Sequence, residues 1–139
     1  MGQVMTTKHA AALDEGDFTD AEKSEAAKAI MRLLDEWSLS QEEQQAILGL
    51  QRTNRESLNG YRKGRPIGTS IDQFERVGHV FAINTSLRIL FPESRETAAA
   101  WMRLPNRAFN GASAAQLVCQ RGFVGLLQVR LYLDRMRGI

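Results

Sequence analysis

The side chains with chemistry to offer are concentrated in residues 51–65 and 101–122. The first stretch carries Arg52, Arg55, Arg62, Lys63 and Arg65 against Glu56, a local charge of +4. Thr53, Asn54, Ser57 and Asn59 are interleaved with them. Arginine and asparagine can bond bidentately to guanine and adenine edges in the major groove, and basic side chains neutralise phosphates. The mixture therefore points to nucleic acid, with a solvated basic helix as the alternative. The second stretch contains Trp101, Leu104, Pro105, Asn106, Phe109, Asn110 and Gly111 and is too apolar to be a plain connector. Pro105 fixes a backbone angle and disfavours helix at Leu104, while Asn110-Gly111 tolerates left-handed angles. An exposed loop of Trp101, Leu104, Pro105 and Phe109 can anchor in a partner's pocket, since aromatic residues dominate interface energetics. The alternative for Trp101 and Phe109 is a place in the core.

No catalytic constellation accompanies these stretches. The sequence has no glycine-rich phosphate loop after a strand, no Cys/His ligand set and no strand pattern on which an α/β site could be built. No enzyme activity, cofactor or metal is expected. His79 is expected in a core or interface, because no second ligand falls at metal-binding spacing. Cys119 cannot form an internal disulfide, and a buried small apolar role is expected for it.

Helices must position both stretches, and their starts are marked. Thr19 with Glu22, Ser40 with Glu43, Thr53 with Glu56, Ser70 with Gln73, and Ser113 with Gln116 each have capping-box spacing. Ala26, Ile30, Leu33, Leu34 and Trp37 recur on one face of a first helix ending near Trp37. A second helix runs through Leu48, where Gly49 can supply a left-handed end, and a third runs to about Arg62. Two short helices around a glycine-containing turn match the helix-turn-helix signature, and Gln41, opening the first of them, joins the DNA-facing set. Gly64, Pro66 and Gly68 form a linker. From Ser70 to about Leu90 a helix is apolar on several sides, making it the central strut and the candidate dimer interface. Phe91-Pro92 stops it, and Ser94 caps a short helix through Arg103. After Gly122 the last helix shows one stripe of Leu126, Val129, Leu133 and Met136 and another of Phe123, Leu127 and Leu131, implying two neighbours. The fold class is all-α. Residues 1–17 are expected to be a mobile tail, with a helical turn in Ala10 to Leu13 and a solvated His9. Residues 18–66 form the helix-turn-helix domain, and 67–139 a dimerisation and partner-binding domain.

Charge divides along the same line. Residues 1–50 hold 4 Lys/Arg against 10 Asp/Glu, whereas 51–139 hold 14 against 6, so the net +2 conceals −6 followed by +8. Anionic partners are expected on the basic part. With no apolar run long enough to span a bilayer and no signal-peptide pattern, a cytoplasmic location away from membranes is expected.

Leu39-Ser-Gln-Glu-Glu43 followed by Ile47-Leu-Gly-Leu50 resembles phage-repressor-type helix-turn-helix domains. Gln44 and Gln45 stand where such domains usually place leucine and alanine, which implies looser or shifted packing. The ordered set W-x-x-x-P-N-x-x-F-x-G-x-S, then a short helix, a glycine and a last amphipathic helix, resembles the C-terminal toxin-binding domain of the Xre/MbcA/ParS antitoxin family. This likeness covers roughly the second half of the chain, and the first half resembles the helix-turn-helix domain found with it. Asn110 and Ala114 stand where the family commonly has glycine and proline. The resemblance implies an antitoxin of a type II pair that blocks a toxin, often a RES-fold toxin that degrades NAD, and binds the operator of its own operon. It implies toxin contacts by Trp101, Leu104, Pro105, Asn106, Phe109 and Gly111, with Arg130, Arg135 and Arg137 reaching into a nucleotide cleft. One recognition helix covers a half-site, so a homodimer is expected. The rival is a stand-alone transcriptional repressor whose C-terminal half senses a ligand or dimerises.

Overall fold

The protein, described by a computed structural model over residues 15–139, is all-helical in that range. His9 and the turn expected at Ala10 to Leu13 lie outside the described residues, and Glu15–Asp17 form a short 3-10 helix. Seven α-helices follow among the described residues: α1 Asp20–Glu36, α2 Gln41–Leu48, α3 Arg55–Arg62, α4 Ile71–Leu90, α5 Arg95–Ala100, α6 Ala114–Arg121 and α7 Phe123–Arg137. Two 3-10 turns, Trp101–Arg103 and Arg107–Phe109, lie between α5 and α6. None of the helices is long and apolar enough to cross a membrane.

Side-chain caps set most of the helix starts. At α1 the Thr19 hydroxyl accepts from the Glu22 amide at 3.1 Å, and the Glu22 carboxylate accepts from the Thr19 amide at 2.9 Å. Ser40 with Glu43 and Ser113 with Gln116 close the same reciprocal box at α2 and α6. Gly49 ends α2 at φ +71°, the left-handed geometry expected of it. The start of α3 differs from the sequence expectation: Asn54, not Thr53, is the cap, its Oδ1 accepting from the Ser57 amide at 3.3 Å. The amide of Asn54 donates to the Gln51 carbonyl at 2.9 Å, so residues 51–54 close a turn that delays the helix by one residue. At α4 the Ser70 hydroxyl caps as expected, but Gln73 does not turn back to it; its side chain points into the core.

One continuous core runs through both halves. Ile30 and Leu34 of α1, Ile47 and Leu48 of α2, Leu58 of α3, Ile83 and Leu87 of α4, and Leu126 and Leu133 of α7 are all fully buried. α4 lies along α7 and also touches α1 and α2, while α2 packs on α6. The helix expected at a dimer interface therefore places Val77, Val80, Ile83 and Leu87 in the internal core, and its strongly exposed large apolar residues are Ile71 and Ile89, near its ends. Gln44 is not loosely packed: buried, it donates to Asp35 Oδ1 at 3.0 Å and to the Leu39 carbonyl at 3.1 Å.

At the α6–α7 corner the two backbones approach closely at Gly125. A Cβ on Gly125 would lie 2.5 Å from the Leu117 carbonyl oxygen and 3.1 Å from the Val118 Cα, both backbone atoms that cannot step aside. Gly125→Ala is expected to destabilise the fold by about 1–3 kcal/mol through overpacking. The check is a urea titration, in which the midpoint should fall at an unchanged slope.

Candidate functional site

The outward face of α3 carries the first candidate site. Arg55, Glu56, Asn59, Arg62 and Lys63 are exposed, while Leu58 and Tyr61 face the core. Gln41 at the start of α2 and Thr53 in the turn are also exposed. Arg52 is exposed and ion-paired with Glu42 on α2. Arg65 follows the helix with its guanidinium 5.9 Å from the centre of the Tyr61 ring. Two members of the expected DNA-facing set are placed otherwise. Ser57 is buried, one turn from Tyr61 on α3. The side-chain oxygen of Asn54 is committed to the α3 cap.

Arg62 has a structural commitment that its sequence position did not reveal. Its guanidinium donates to Asp35 Oδ2 at 3.1 Å and Oδ1 at 2.9 Å, to Gln44 Oε1 at 3.0 Å and to Asn59 Oδ1 at 3.2 Å. One side chain thus ties α1, α2 and α3 together and fixes the angle at which α3 is presented. The hydrogen bond from Arg62 holds the Asp35 carboxyl below its ordinary value, against burial, with Gln44 helping.

The second candidate site is the loop between α5 and α6, closed on itself by Asn106. Its side chain accepts from the Ala108 amide at 2.9 Å, its carbonyl from the Gly111 amide at 2.9 Å, and its amide donates to the Ala112 carbonyl at 3.0 Å. Asn110 at φ +57° and Gly111 at φ +87° supply consecutive left-handed residues that let the loop reverse, as their types suggested. The reversed loop is pinned to α7 by three rings. Trp101 stacks on Tyr132 with centroids 6.2 Å apart, and Phe109 meets Tyr132 edge-on at 5.2 Å and Trp101 at 6.4 Å. Phe109 is consequently buried, the core place that was the alternative to an exposed anchor, and Trp101 is half-buried. Arg103, Leu104, Pro105 and Arg107 are among the residues that the loop presents outward, with Leu104 53% exposed. Tyr132, Arg103 and Arg107 were missed: Tyr132 falls between the two apolar stripes of α7, and the arginines lack meaning until the loop is seen to project them.

The three C-terminal arginines differ in freedom. Arg130 Nη1 lies 2.9 Å from His79 Nδ1, and its Nε lies 3.8 Å from Asp134 Oδ2. Burial first, then the charge of Arg130, hold His79 below its ordinary value, so its ring is neutral near pH 7 and Nδ1 can accept from Arg130. Arg137 donates to the Ser86 hydroxyl at 3.3 Å and is half-buried, whereas Arg135 is exposed. Cys119 is exposed rather than buried.

The outward helix of basic and amide groups and the helical unit that projects the pinned loop together define an all-α helix-turn-helix protein with a second helical unit attached. Residues 19–81 match the antitoxin Xre-like helix-turn-helix domain, and residues 86–138 match the antitoxin Xre/MbcA/ParS C-terminal toxin-binding domain. The chain belongs to the Xre/MbcA/ParS antitoxin family. It is 38% identical over 113 residues to an uncharacterised protein, y4oB, of Sinorhizobium fredii, a match covering 80% of this chain and 83% of that protein.

Because the folded Asp35 has a lowered pKa, its contribution to stability is present above the unfolded value of 3.8 and is lost as pH falls through the folded value. Asp35→Asn is expected to be less stable than the native chain at neutral pH, with the gap narrowing toward pH 3. Urea midpoints of both proteins across that range provide the check, and a gap that stays constant would rule out an ionised Asp35 as its source.

Proposed function

We infer that this antitoxin neutralises a cognate RES-type, NAD-degrading toxin by direct binding and occlusion of the toxin's active site, as one half of a type II pair. It acts by binding and performs no catalysis of its own. The single observation that carries this reading is the outward set Arg103, Leu104, Pro105 and Arg107 on a loop whose shape is fixed by Asn106 and the Trp101–Phe109–Tyr132 cluster. A rigid apolar step flanked by two cations loses little entropy on docking and suits a pocket with an acidic rim. In this assignment Leu104 and Pro105 touch the toxin, Gly111 allows close approach, and Asn106, Phe109 and Trp101 support the loop from beneath. Arg135 is poised to enter the toxin cleft, while Arg130 and Arg137 reach it only by leaving His79 and Ser86.

The same reading gives residues 18–66 the operator contacts and residues 67–139 dimerisation and toxin binding. A homodimer in the cytoplasm represses its own operon by placing two α3 helices in successive major grooves. Arg55 and Asn59 read bases, and Gln41, Arg52, Thr53, Lys63 and Arg65 serve phosphates. Arg62 contributes by holding α3 in place.

Co-expression with the adjacent toxin reading frame tests the first part. The full chain should restore growth and co-purify with the toxin, whereas Leu104→Asp and a truncation lacking residues 134–139 should each fail to protect; full protection by both would exclude this surface. Binding of the DNA upstream of the gene tests the second. Lys63→Ala should weaken binding on all sequences and reduce the salt slope by about one, while Arg55→Ala should cost about 1–3 kcal/mol and erode sequence preference. Affinity independent of salt would exclude operator binding.

A further inference from the structure

Near the middle of α4, half-buried His79 sits in the seam with α7. Its Nδ1 lies 2.9 Å from Arg130 Nη1, and the ring of Phe123, the first residue of α7, stands edge to it with centroids 5.4 Å apart. A guanidinium has donors only and keeps its charge at any ordinary pH. The contact therefore holds only while Nδ1 is a bare acceptor and the ring proton is on Nε2. A second proton would set one N–H against another and one cation against another. The seat of Arg130 thus depends on the charge of His79.

The charged groups around the ring come from both helices. Burial most, then Arg130, oppose a positive ring, while Glu75 one turn earlier on α4 and Asp134 one turn after Arg130 on α7 favour it. Opposition prevails, and His79 is held below its ordinary 6.5. Arg76 lies over the Phe123 ring at 5.6 Å, bound to Asp72 and to the Ala46 and Ile47 carbonyls, so it adds a cation near the ring without being free to leave. Arg130 does have an alternative seat. Its Nε is already 3.8 Å from Asp134 Oδ2, and its side chain is 29% exposed. Arg137, two turns further along α7, supplies a contrast: it is held by the Ser86 hydroxyl, which does not titrate in this range.

We propose that His79 is a proton-operated latch on Arg130: the neutral ring holds the guanidinium in the α4–α7 seam, and protonation expels it toward Asp134 and solvent. Since the folded ring takes its proton at a lower pH than the unfolded one, the latch adds stability above pH 6.5 that is lost as pH falls from there through the folded value. Arg130 is one of the three arginines assigned above to the toxin cleft, so under that assignment mild acid adds a cation to the toxin-facing set. The test below reads the latch itself and stands whether or not that assignment does.

The full chain, isotopically labelled, is titrated by NMR from about pH 8 down to about pH 5, above the range in which ordinary carboxylates titrate. The His79 ring should titrate below 6.5, the side-chain carbon and nitrogen signals of Arg130 should move with the same midpoint, and those of Arg137 should stay still. Arg130→Gln, which keeps a donor and removes the charge, should move the His79 midpoint upward. His79→Gln, which can accept at every pH, should leave Arg130 without a response over the range. A native His79 midpoint at or above 6.5, or an Arg130 signal that does not follow it, would overturn the latch. So would an Arg137 signal that follows equally, since the whole seam would then be loosening. These readings are made on the native chain and stand whatever the variants do.

Discussion

A single buried amide sets the relation between the two halves of this antitoxin. Gln73, in the first turn of α4, donates to the Leu48 carbonyl at the end of α2 at 3.3 Å and lies 3.2 Å from the Tyr61 hydroxyl of α3. Its oxygen accepts from the Gly68 amide of the linker at 3.0 Å. One side chain therefore fixes the end of one helix of the helix-turn-helix, the last turn of the other, and the linker leaving them. Three residues on, Arg76 covers the last carbonyls of α2, a position available only because Gly49 has no side chain: a Cβ there would sit 2.8 Å from Arg76 Nε. Both contacts satisfy backbone groups that a helix end otherwise leaves unpaired. The orientation of α3 follows from α4 as much as from the helix-turn-helix itself.

The distribution of arginines follows from this arrangement. The sequence does not tell which cations of the basic excess beyond residue 50 are free, but the fold divides them by commitment. Arg62 and Arg76 hold helices together, Arg130 and Arg137 are lodged against α4, and Arg55, Arg103, Arg107 and Arg135 face outward. Spending cations on internal joints leaves a smaller, positioned set for anionic partners. Each internal one is matched by a carboxylate, a carbonyl or a neutral acceptor, so the core carries little unpaired charge.

The parts of this architecture governed by local rules were legible in the sequence. Three capping boxes, the glycine end of α2, the span of α4 and the left-handed pair Asn110-Gly111 depend on residues within one turn of each other. Where two local signals competed, context decided: Thr53 and Asn54 are both good caps, and a turn reaching back to Gln51 selected Asn54. Apolar periodicity could not show whether Phe109 points in or out, since its partner Tyr132 is brought to it only by the folding of α7. Nor could it show that Ser57 faces inward, because a serine reads as polar wherever it stands. Buried glutamines are the least legible class. Gln44, Gln45 and Gln73 look alike in the chain, yet the fold makes one a bonded joint, one a buried donor with no partner among the described residues, and one the connector between halves.

The two matched family regions meet between residues 81 and 86, inside the unbroken helix α4. A crossover between relatives at that seam would join half of one strut to half of another, and the Gln73 and Arg76 contacts would come from one parent while the α7 groove came from the other. Exchange of the helix-turn-helix and toxin-binding parts during evolution is therefore constrained to events that carry α4 whole, or that alter both of its faces together. A change in one domain and a change in the other are in this sense coupled inheritances, although their surfaces are far apart in the chain.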